Sequence, residues 1–191
     1  MAVLTGSKKI RTAVFISGSG SNLKNLIKFS KLKKSPISIN LILSNNNKAK
    51  GLRFAKIFKI KKKLFSFKNN TSVERKILVV LKKNKIEFIC LAGFMRILSK
   101  NFIKNFRGKI LNIHPSLLPQ FKGLNTHERV LKSKKKYSGC TVHFVSSKLD
   151  SGKIIVQKKV KIKKNDTSKS LAKRILNQEH KLYPKAIMKI F

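Results

Sequence analysis

The chain contains 191 residues, of which 41% are hydrophobic, and it has no apolar run long enough to cross a bilayer, which argues against a disordered or membrane-inserted chain. Its 46 basic and 6 acidic residues give a formal net charge of +40, a balance that raises the question of nucleic-acid binding. The first ten residues lack the apolar region of a signal peptide, so we expect a cytoplasmic protein with both cysteines reduced. The length of the chain predicts one domain over residues 1–191.

The amino-terminal half alternates short apolar strands with helices. The first unit is a strand over residues 12–17, followed by a glycine-rich turn over residues 18–22 and by a helix. The next elements are a strand over residues 36–43, helices over residues 49–58 and 71–83, and a strand over Phe88–Leu91. This alternation predicts a parallel sheet with helices on both faces.

The carboxyl-terminal half ends the sheet differently. A strand over Lys109–His114 is followed by two longer β runs, over residues 139–145 and 153–162, which are close enough to pair as antiparallel strands. A final helix, capped by residues 166–168, is predicted to run through about Met188, with a kink or a break near Pro184. The predicted fold class is α/β: a mostly parallel, Rossmann-like sheet flanked by helices, with antiparallel strands near the carboxyl terminus.

The glycine-rich turn after the first strand is a candidate anion site. Glycines let the backbone approach a phosphate, and the N–H groups at the start of the following helix can bind it. A dinucleotide fold requires a third glycine and an acid about twenty residues further on, but no Asp or Glu precedes Glu74. We therefore predict a phosphate monoester here, with Ser21 and Asn22 adding side-chain hydrogen bonds. A plain strand-to-helix turn is the alternative.

Two polar side chains stand at the end of the strand over Lys109–His114. Side chains alternate along a strand, so Asn112 and His114 share one face, and Pro115 then ends the strand. Ligands bind at this carboxyl edge in open α/β sheets. An amide beside an imidazole can hold a developing oxyanion while the imidazole moves a proton, which suits acyl-type transfer. The alternative is that both side chains satisfy backbone groups of the loop.

Asp150 is one of only six carboxylates, and it lies between the two late β runs. If its loop folds over the edge of the sheet, Asp150 can meet His114, orient the ring and favour its protonated form. Turn formation is the alternative role, since Asp-x-Gly suits a turn.

Other kinds of site find little support in the sequence. The four histidines and two cysteines have no zinc spacing, and no Walker loop or nucleophile elbow is present. Cys140 and His143 are three residues apart and so on opposite faces of a strand, which argues against a Cys–His nucleophile. We interpret His127 and His143 as local hydrogen-bonding residues, although either can line a cleft.

Seven segments carry a family resemblance. In chain order they read ISGSGSNL, LAGFMRILS, ILNIHPSLLP, GLNTH, GCTVHFV, LDSG and QEHKLYP, spread over nearly the whole chain. In this combination the sequence resembles the phosphoribosylglycinamide formyltransferase family. The resemblance implies the formyltransferase fold and transfer of a formyl group from 10-formyltetrahydrofolate to the amine of glycinamide ribonucleotide, in de novo purine synthesis. It implies no metal and no tightly bound cofactor, the formyl folate being a co-substrate.

The resemblance also assigns residues. It implies catalysis by Asn112, His114 and Asp150. It implies that the substrate is bound by Gly20, Ser21, Asn22 and Glu179, and that the folate's pterin ring lies beside Met95, Arg96, Ile97, Leu98 and Asn112. The expected partners are these two small molecules, with no specific nucleic acid, no membrane, and a monomeric or homodimeric state.

The sequence departs from the family pattern at several positions. The usual Asp-Gly-Gly turn reads Asp150-Ser151-Gly152, Asn125 stands where many members have His, and no basic residue for the folate tail matches around residues 68–70. These departures bear on folate affinity and leave the expected reaction class unchanged.

Two other functions remain as alternatives. Methionyl-tRNA formyltransferase has a similar catalytic half, but it carries an additional RNA-binding domain, for which 191 residues leave no room. A nucleic-acid-binding protein on a vestigial enzyme scaffold is the second. The basic residues comprise 39 Lys and only 7 Arg, in clusters far apart along the chain, which favours compositional drift over a surface shaped by nucleic acid.

Overall fold

A seven-stranded sheet runs through the computed structural model, which describes residues 8–67 and 70–191. Most of the segment considered for a signal peptide, and residues 68 and 69 of the unmatched folate-tail region, lie outside this described part. The strands are β1 (Ile10–Ile16), β2 (Ile37–Ser44), β3 (Lys61–Leu64), β4 (Phe88–Leu91), β5 (Lys109–His114), β6 (Tyr137–Phe144) and β7 (Ile154–Lys161). The α-helices are α1 (Ser21–Ser30), α2 (Arg53–Ile57), α3 (Asn70–Lys83), α4 (Lys100–Asn105), α5 (Thr126–Lys132) and α6 (Ser168–Ile190).

The strand order is β3-β2-β1-β4-β5-β6-β7. The first five strands in this order are parallel, and β6 and β7 are added as antiparallel strands. This arrangement confirms the predicted fold class. Because β1, β4 and β5 are parallel neighbours, the loops that follow them meet at one edge of the sheet.

Helices cover both faces of the sheet, as the alternation predicted. Along β1, Val14 and Ile16 pack with α1 and α6, whereas Ala13 and Phe15 pack with α3 and α4 on the opposite face. All four of these side chains are fully buried. A strand buried on both faces reads as a continuous apolar run, and the run over residues 12–17 is apolar apart from its two ends.

Helix α6 is continuous, so the predicted break near Pro184 is absent. Proline has no N–H and leaves the carbonyl of His180 without its helical donor. The Asn25 side chain on α1 supplies a replacement, since its Nδ2 donates to that carbonyl over 2.6 Å. At the other end, the Thr167 hydroxyl accepts from the N–H of Ser170, which confirms the predicted cap.

Three short elements were not predicted. They are β3, α4 and α5, each of seven residues or fewer. The helix predicted over residues 49–58 divides into a 3-10 turn, Lys50–Leu52, and α2. Among residues 8–67 and 70–191, strand β3 pairs only with β2, and it is exposed along its whole length, so its lysines lie at an open edge of the sheet. Every helix in the described residues is too short or too polar to cross a membrane.

Candidate active site

A cavity of about 740 Å³ opens at the carboxyl edge of β1, β4 and β5. Its wall contains all of the predicted site residues: Gly20, Ser21, Asn22, Met95, Arg96, Ile97, Leu98, Asn112, His114, Asp150 and Glu179. These residues come from five separate stretches of the chain. The topology of the sheet therefore brings the two predicted constellations into one site.

Asp150 lies against both polar residues of β5. Its Oδ2 is 3.4 Å from His114 Nδ1, and its Oδ1 accepts from Asn112 Nδ2 over 3.5 Å. The Gly123 N–H donates to Oδ2 over 2.8 Å and fixes the carboxylate in place. The side chains of His114 and Asp150 are only 6% and 7% exposed. The amide, the imidazole and the carboxylate thus converge in a site largely removed from water.

Both ring nitrogens of His114 lie close to an oxygen atom. Nε2 lies 2.9 Å from the Phe121 carbonyl, which only accepts, so this nitrogen carries a proton. The other nitrogen faces the Asp150 carboxylate, which would repel a lone pair. His114 therefore has a hydrogen-bond acceptor beside each of its two ring nitrogens.

His143 is a fourth polar member of the site whose contribution was not predicted. It pairs with Asn112 across the β5–β6 ladder, and its Nε2 is 3.3 Å from Asn112 Nδ2. Its Nδ1 donates to the Phe144 carbonyl over 2.8 Å. Burial, together with the charges of His114 and Lys122, lowers the pKa of His143 despite the opposing effects of the Phe144 carbonyl and Asp150, so the neutral ring accepts at Nε2. His143 therefore fixes the orientation of the Asn112 amide.

Cys140 lies on the other face of β6, as its spacing from His143 predicted. It is fully buried in the core, and burial, with a smaller effect of Glu179, raises the pKa of its thiol to about 12. Such a thiol is not a nucleophile at neutral pH.

The glycine-rich turn is closely packed, and we refer to it as the candidate anion cradle. Gly20 has a φ of 75°, and a Cβ there would lie 2.6 Å from Gly51 Cα. The Gly51 N–H donates to the Gly18 carbonyl over 3.0 Å, which fixes the turn against the next loop. The first intrahelical bond of α1 runs from the Lys24 N–H to the Gly20 carbonyl. The preceding N–H groups of α1 point out of the helix and can bind a phosphate.

Asn22 contacts Glu179 with its side chain. Asn22 Nδ2 donates to Glu179 Oε2 over 2.7 Å, and both residues are 7% exposed. Burial raises the pKa of the Glu179 carboxyl, although the bond from Asn22 opposes this. The Asn22 side-chain oxygen has no partner in the described residues. The side-chain amide predicted to bind phosphate thus joins α1 to α6.

Another part of the cavity wall, separate from the polar residues described above, is apolar. Met95 and Ile97 are 60% and 64% exposed, and Leu124 and Leu149 are exposed across the opening. Exposed apolar side chains that ring a cleft mark a ligand-binding surface. This part of the cavity suits a flat aromatic ring.

His127 also lines the cavity, one of the two outcomes its sequence position allowed. Its Nδ1 is buried without a hydrogen-bond partner in the described residues. Burial and the nearby positive charge of His114 lower its pKa, so the ring is neutral at neutral pH.

Comparisons with known proteins agree over most of the chain. A family model described as Formyl transferase matches residues 10–187. The phosphoribosylglycinamide formyltransferase of Haemophilus influenzae is 40% identical over 183 residues, which are 94% of this chain and 85% of that protein. The crystal structure of phosphoribosylglycinamide formyltransferase from Brucella melitensis gives a TM-score of 0.90 at 43% identity, covering 96% of each chain.

Some relatives are much longer proteins. The trifunctional purine biosynthetic protein adenosine-3 of Homo sapiens is 44% identical over 183 residues, which are 94% of this chain but 18% of that protein. The chain thus spans less than a fifth of the length of the trifunctional relatives it matches.

Proposed function

This chain belongs to the formyl transferase family, and from that premise we propose that it transfers the formyl group of 10-formyltetrahydrofolate to the amine of glycinamide ribonucleotide, a step of purine synthesis. One observation carries the proposal: Asn112, His114 and Asp150 converge in the same cavity as a phosphate cradle and an apolar mouth. The cradle suits the ribonucleotide phosphate, and the mouth beside Met95 and Ile97 suits the pterin ring.

In the proposed reaction the substrate amine attacks the formyl carbon. The new nitrogen–carbon bond moves an electron pair onto the formyl oxygen and gives a tetrahedral oxyanion. The electron pair on the oxygen then re-forms the C=O bond as the bond from this carbon to the folate nitrogen breaks; the nitrogen keeps that pair, takes up a proton, and tetrahydrofolate leaves. The amine gives up a proton in the same sequence, so charge and atoms balance.

Each polar residue has a place in this scheme. The Asn112 amide, which keeps its contact with His143 and gives up its 3.5 Å bond to Asp150, and the His114 imidazolium stabilise the oxyanion. To bind it, His114 gives up one of its two protein acceptors, Asp150 or the Phe121 carbonyl. Asp150 keeps the ring cationic and is the local acceptor toward which the amine proton moves.

Substrate binding uses the other residues of the wall. The turn at Gly20 and Ser21 and the backbone of Asn22 bind the phosphate, and Glu179 contacts the remainder of the ribonucleotide. The folate binds along Met95, Arg96, Ile97 and Leu98, next to Asn112. We propose that residues 1–191 act as one domain and that no metal or tightly bound cofactor takes part.

An assay with two acceptors tests the proposal. Purified protein is given 10-formyltetrahydrofolate with either glycinamide ribonucleotide or initiator methionyl-tRNA, and formylated product is measured. We expect turnover with the ribonucleotide and none with the tRNA. Preferential formylation of the tRNA, or no transfer to either acceptor, contradicts the proposal.

A further inference from the structure

Residues 93–98 line the apolar part of the cavity, and buried polar groups hold the segment over residues 93–99 at both ends. At its start, the Ser17 N–H donates to the Gly93 carbonyl over 3.0 Å, and the Met95 N–H donates to Ser17 Oγ over 2.7 Å. The Ser17 hydroxyl in turn donates to Asn45. Because Ser17 directly precedes the glycine-rich turn, one residue touches both the phosphate side and the folate side of the site.

Glu74, on α3, holds the other end of the segment. Its Oε1 accepts the Ser99 N–H over 2.9 Å, and its Oε2 accepts the Ser99 hydroxyl. Glu74 is 4% exposed and has no cationic partner within the described part of the chain. A carboxylate buried without a counter-ion is costly unless charge-assisted hydrogen bonds compensate, and both of these bonds go to Ser99.

Between these ends, apolar side chains fix which way the segment faces. The Phe94 ring packs edge-on against Phe15 at 5.4 Å and against Phe67 at 5.8 Å, and Leu98 is 4% exposed. Met95 and Ile97 are left on the cavity side. The orientation of the apolar wall thus depends on its two polar ends as well as on the core.

We propose that Ser17 and Glu74 are positioning residues for the folate subsite, and that Ser17 also couples this subsite to the phosphate-binding turn. Neither residue lines the cavity, so each acts through the segment it holds. The inference rests on the proposed function for the identity of the ligand, but the anchoring itself is measurable without any ligand.

The two residues have different expected kinetic effects. Glu74→Ala should raise the KM for 10-formyltetrahydrofolate about tenfold, with kcat and the ribonucleotide KM within about twofold of wild type. Ser17→Ala should raise both KM values, since it loosens both loops. Glu74→Gln, which keeps an acceptor for the Ser99 N–H, should restore most of the folate affinity.

Glu87→Ala is the control, at an exposed rather than a buried carboxylate. Glu87 is also an acceptor for a backbone N–H, that of Arg11 over 3.3 Å, but it precedes β4 at the opposite edge of the sheet. We expect it to leave both KM values unchanged. If Glu74→Ala does not fold, Ser99→Ala removes the same hydroxyl contact, with Ser99→Thr as the conservative variant.

Hydrogen exchange separates this inference from the proposed function. In ligand-free protein, Glu74→Ala should speed exchange of the Ser99 amide, and Ser17→Ala that of the Met95 amide, by about tenfold. Unchanged exchange, or a folded Glu74→Ala with the wild-type folate KM, overturns the inference. If the variants exchange faster but the wild-type protein formylates no ribonucleotide, the proposed function is overturned. The anchoring by Ser17 and Glu74 then remains supported.

Discussion

His114 Nδ1 and Asp150 Oδ2 lie 3.4 Å apart, and both side chains are almost entirely buried. The pair joins the end of β5 to the loop between β6 and β7, in which Asp150 lies six residues after Phe144. Since Asp150 also receives the Gly123 N–H and the Asn112 amide, the carboxylate links three parts of the site. Under the proposed function, the ring is thus held in position for the oxyanion before substrate arrives.

The first prediction concerns this pair. Asp150→Asn keeps the shape of the side chain but removes the charge that stabilises the His114 imidazolium, so kcat should fall about 10²- to 10³-fold. Both KM values should stay within about threefold, since the loss falls on the transition state. Steady-state kinetics on folded protein provide the measurement.

Combining variants checks that the pair works as a unit. His114→Ala should cost about as much in kcat as Asp150→Asn, and the double variant little more than either. Fully additive losses, or wild-type kcat in either folded variant, would show that the two residues do not act together in catalysis.

The second prediction concerns the stability cost of Glu179. Its pKa is raised in the folded state, so the folded protein binds this proton more tightly than the unfolded chain does. The associated stability is complete below the ordinary pKa of about 4.5 and is lost as the pH rises through the raised value. Glu179→Gln, which is always neutral, should therefore melt about 2–4 °C higher at pH 7.5, with the difference vanishing toward pH 4.

The same variant should bind the ribonucleotide less well and raise its KM. Glu128→Gln is the control, because Glu128 lies exposed on α5 and pairs with Lys132. Thermal melts over the pH range supply the measurement. A Glu179→Gln protein that is less stable than wild type at neutral pH contradicts the argument.

The third prediction concerns Tyr183, whose hydroxyl lies 3.1 Å from the carbonyls of Leu91 on β4 and Leu111 on β5. Tyr183→Phe leaves these buried carbonyls without that donor and should lower the free energy of unfolding by about 1–2 kcal/mol. Urea denaturation measures the change. Tyr137→Phe, at a position 51% exposed, should change the midpoint little; equal effects of the two variants would refute the prediction.

The fourth prediction concerns the anion cradle. Gly20→Ala forces a side chain into a left-handed backbone and against Gly51, so it should cost about 2 kcal/mol and raise the ribonucleotide KM more than the folate KM. Gly18 has open space around its Cβ position, so Gly18→Ala should leave the free energy of unfolding almost unchanged. Denaturation midpoints and the two KM values test this, and a stable Gly20→Ala with an unchanged ribonucleotide KM argues against the cradle.

The fifth prediction concerns electrostatic steering. Both proposed substrates are anionic, and the formal net charge of +40 should attract them to the cavity. kcat/KM should then fall about three- to tenfold between about 0.05 and 0.3 M salt, as screening shortens the reach of the charge. Sucrose at matched osmolality is the control. A salt-independent kcat/KM removes the support for steering.

Much of the fold follows from local sequence patterns. Two strands are recognisable from their apolar content and from the residue that ends them. They are the run over residues 12–17, followed by glycine, and Lys109–His114, followed by proline. Strand β3 does not, because three lysines in a row show no alternation, and only pairing with β2 makes them a strand. The continuity of α6 through Pro184 was equally hidden, since it depends on Asn25, more than 150 residues away.

The candidate site, like the fold, was predictable where local sequence patterns mark its residues. Asn112 and His114 were marked by strand spacing, and Asp150 by the scarcity of acids. The role of His143 could not be predicted, because it depends on the β5–β6 register that sets it opposite Asn112. The contact of the Asn22 amide with Glu179 could not be predicted either, because Glu179 lies on a helix 157 residues further along the chain. Local sequence alone therefore suggested only phosphate as a partner for this amide.

The lysines of β3 have a consequence for how copies of this protein meet one another. An uncovered strand edge offers free backbone groups to a second molecule, the first step toward fibrous aggregates. If two copies of this protein approach through this edge, the lysine ammonium groups of the two β3 strands repel each other. At low salt this repulsion prevents the two edges from pairing. Chemical acetylation of these lysines would remove that protection without altering a single packed residue.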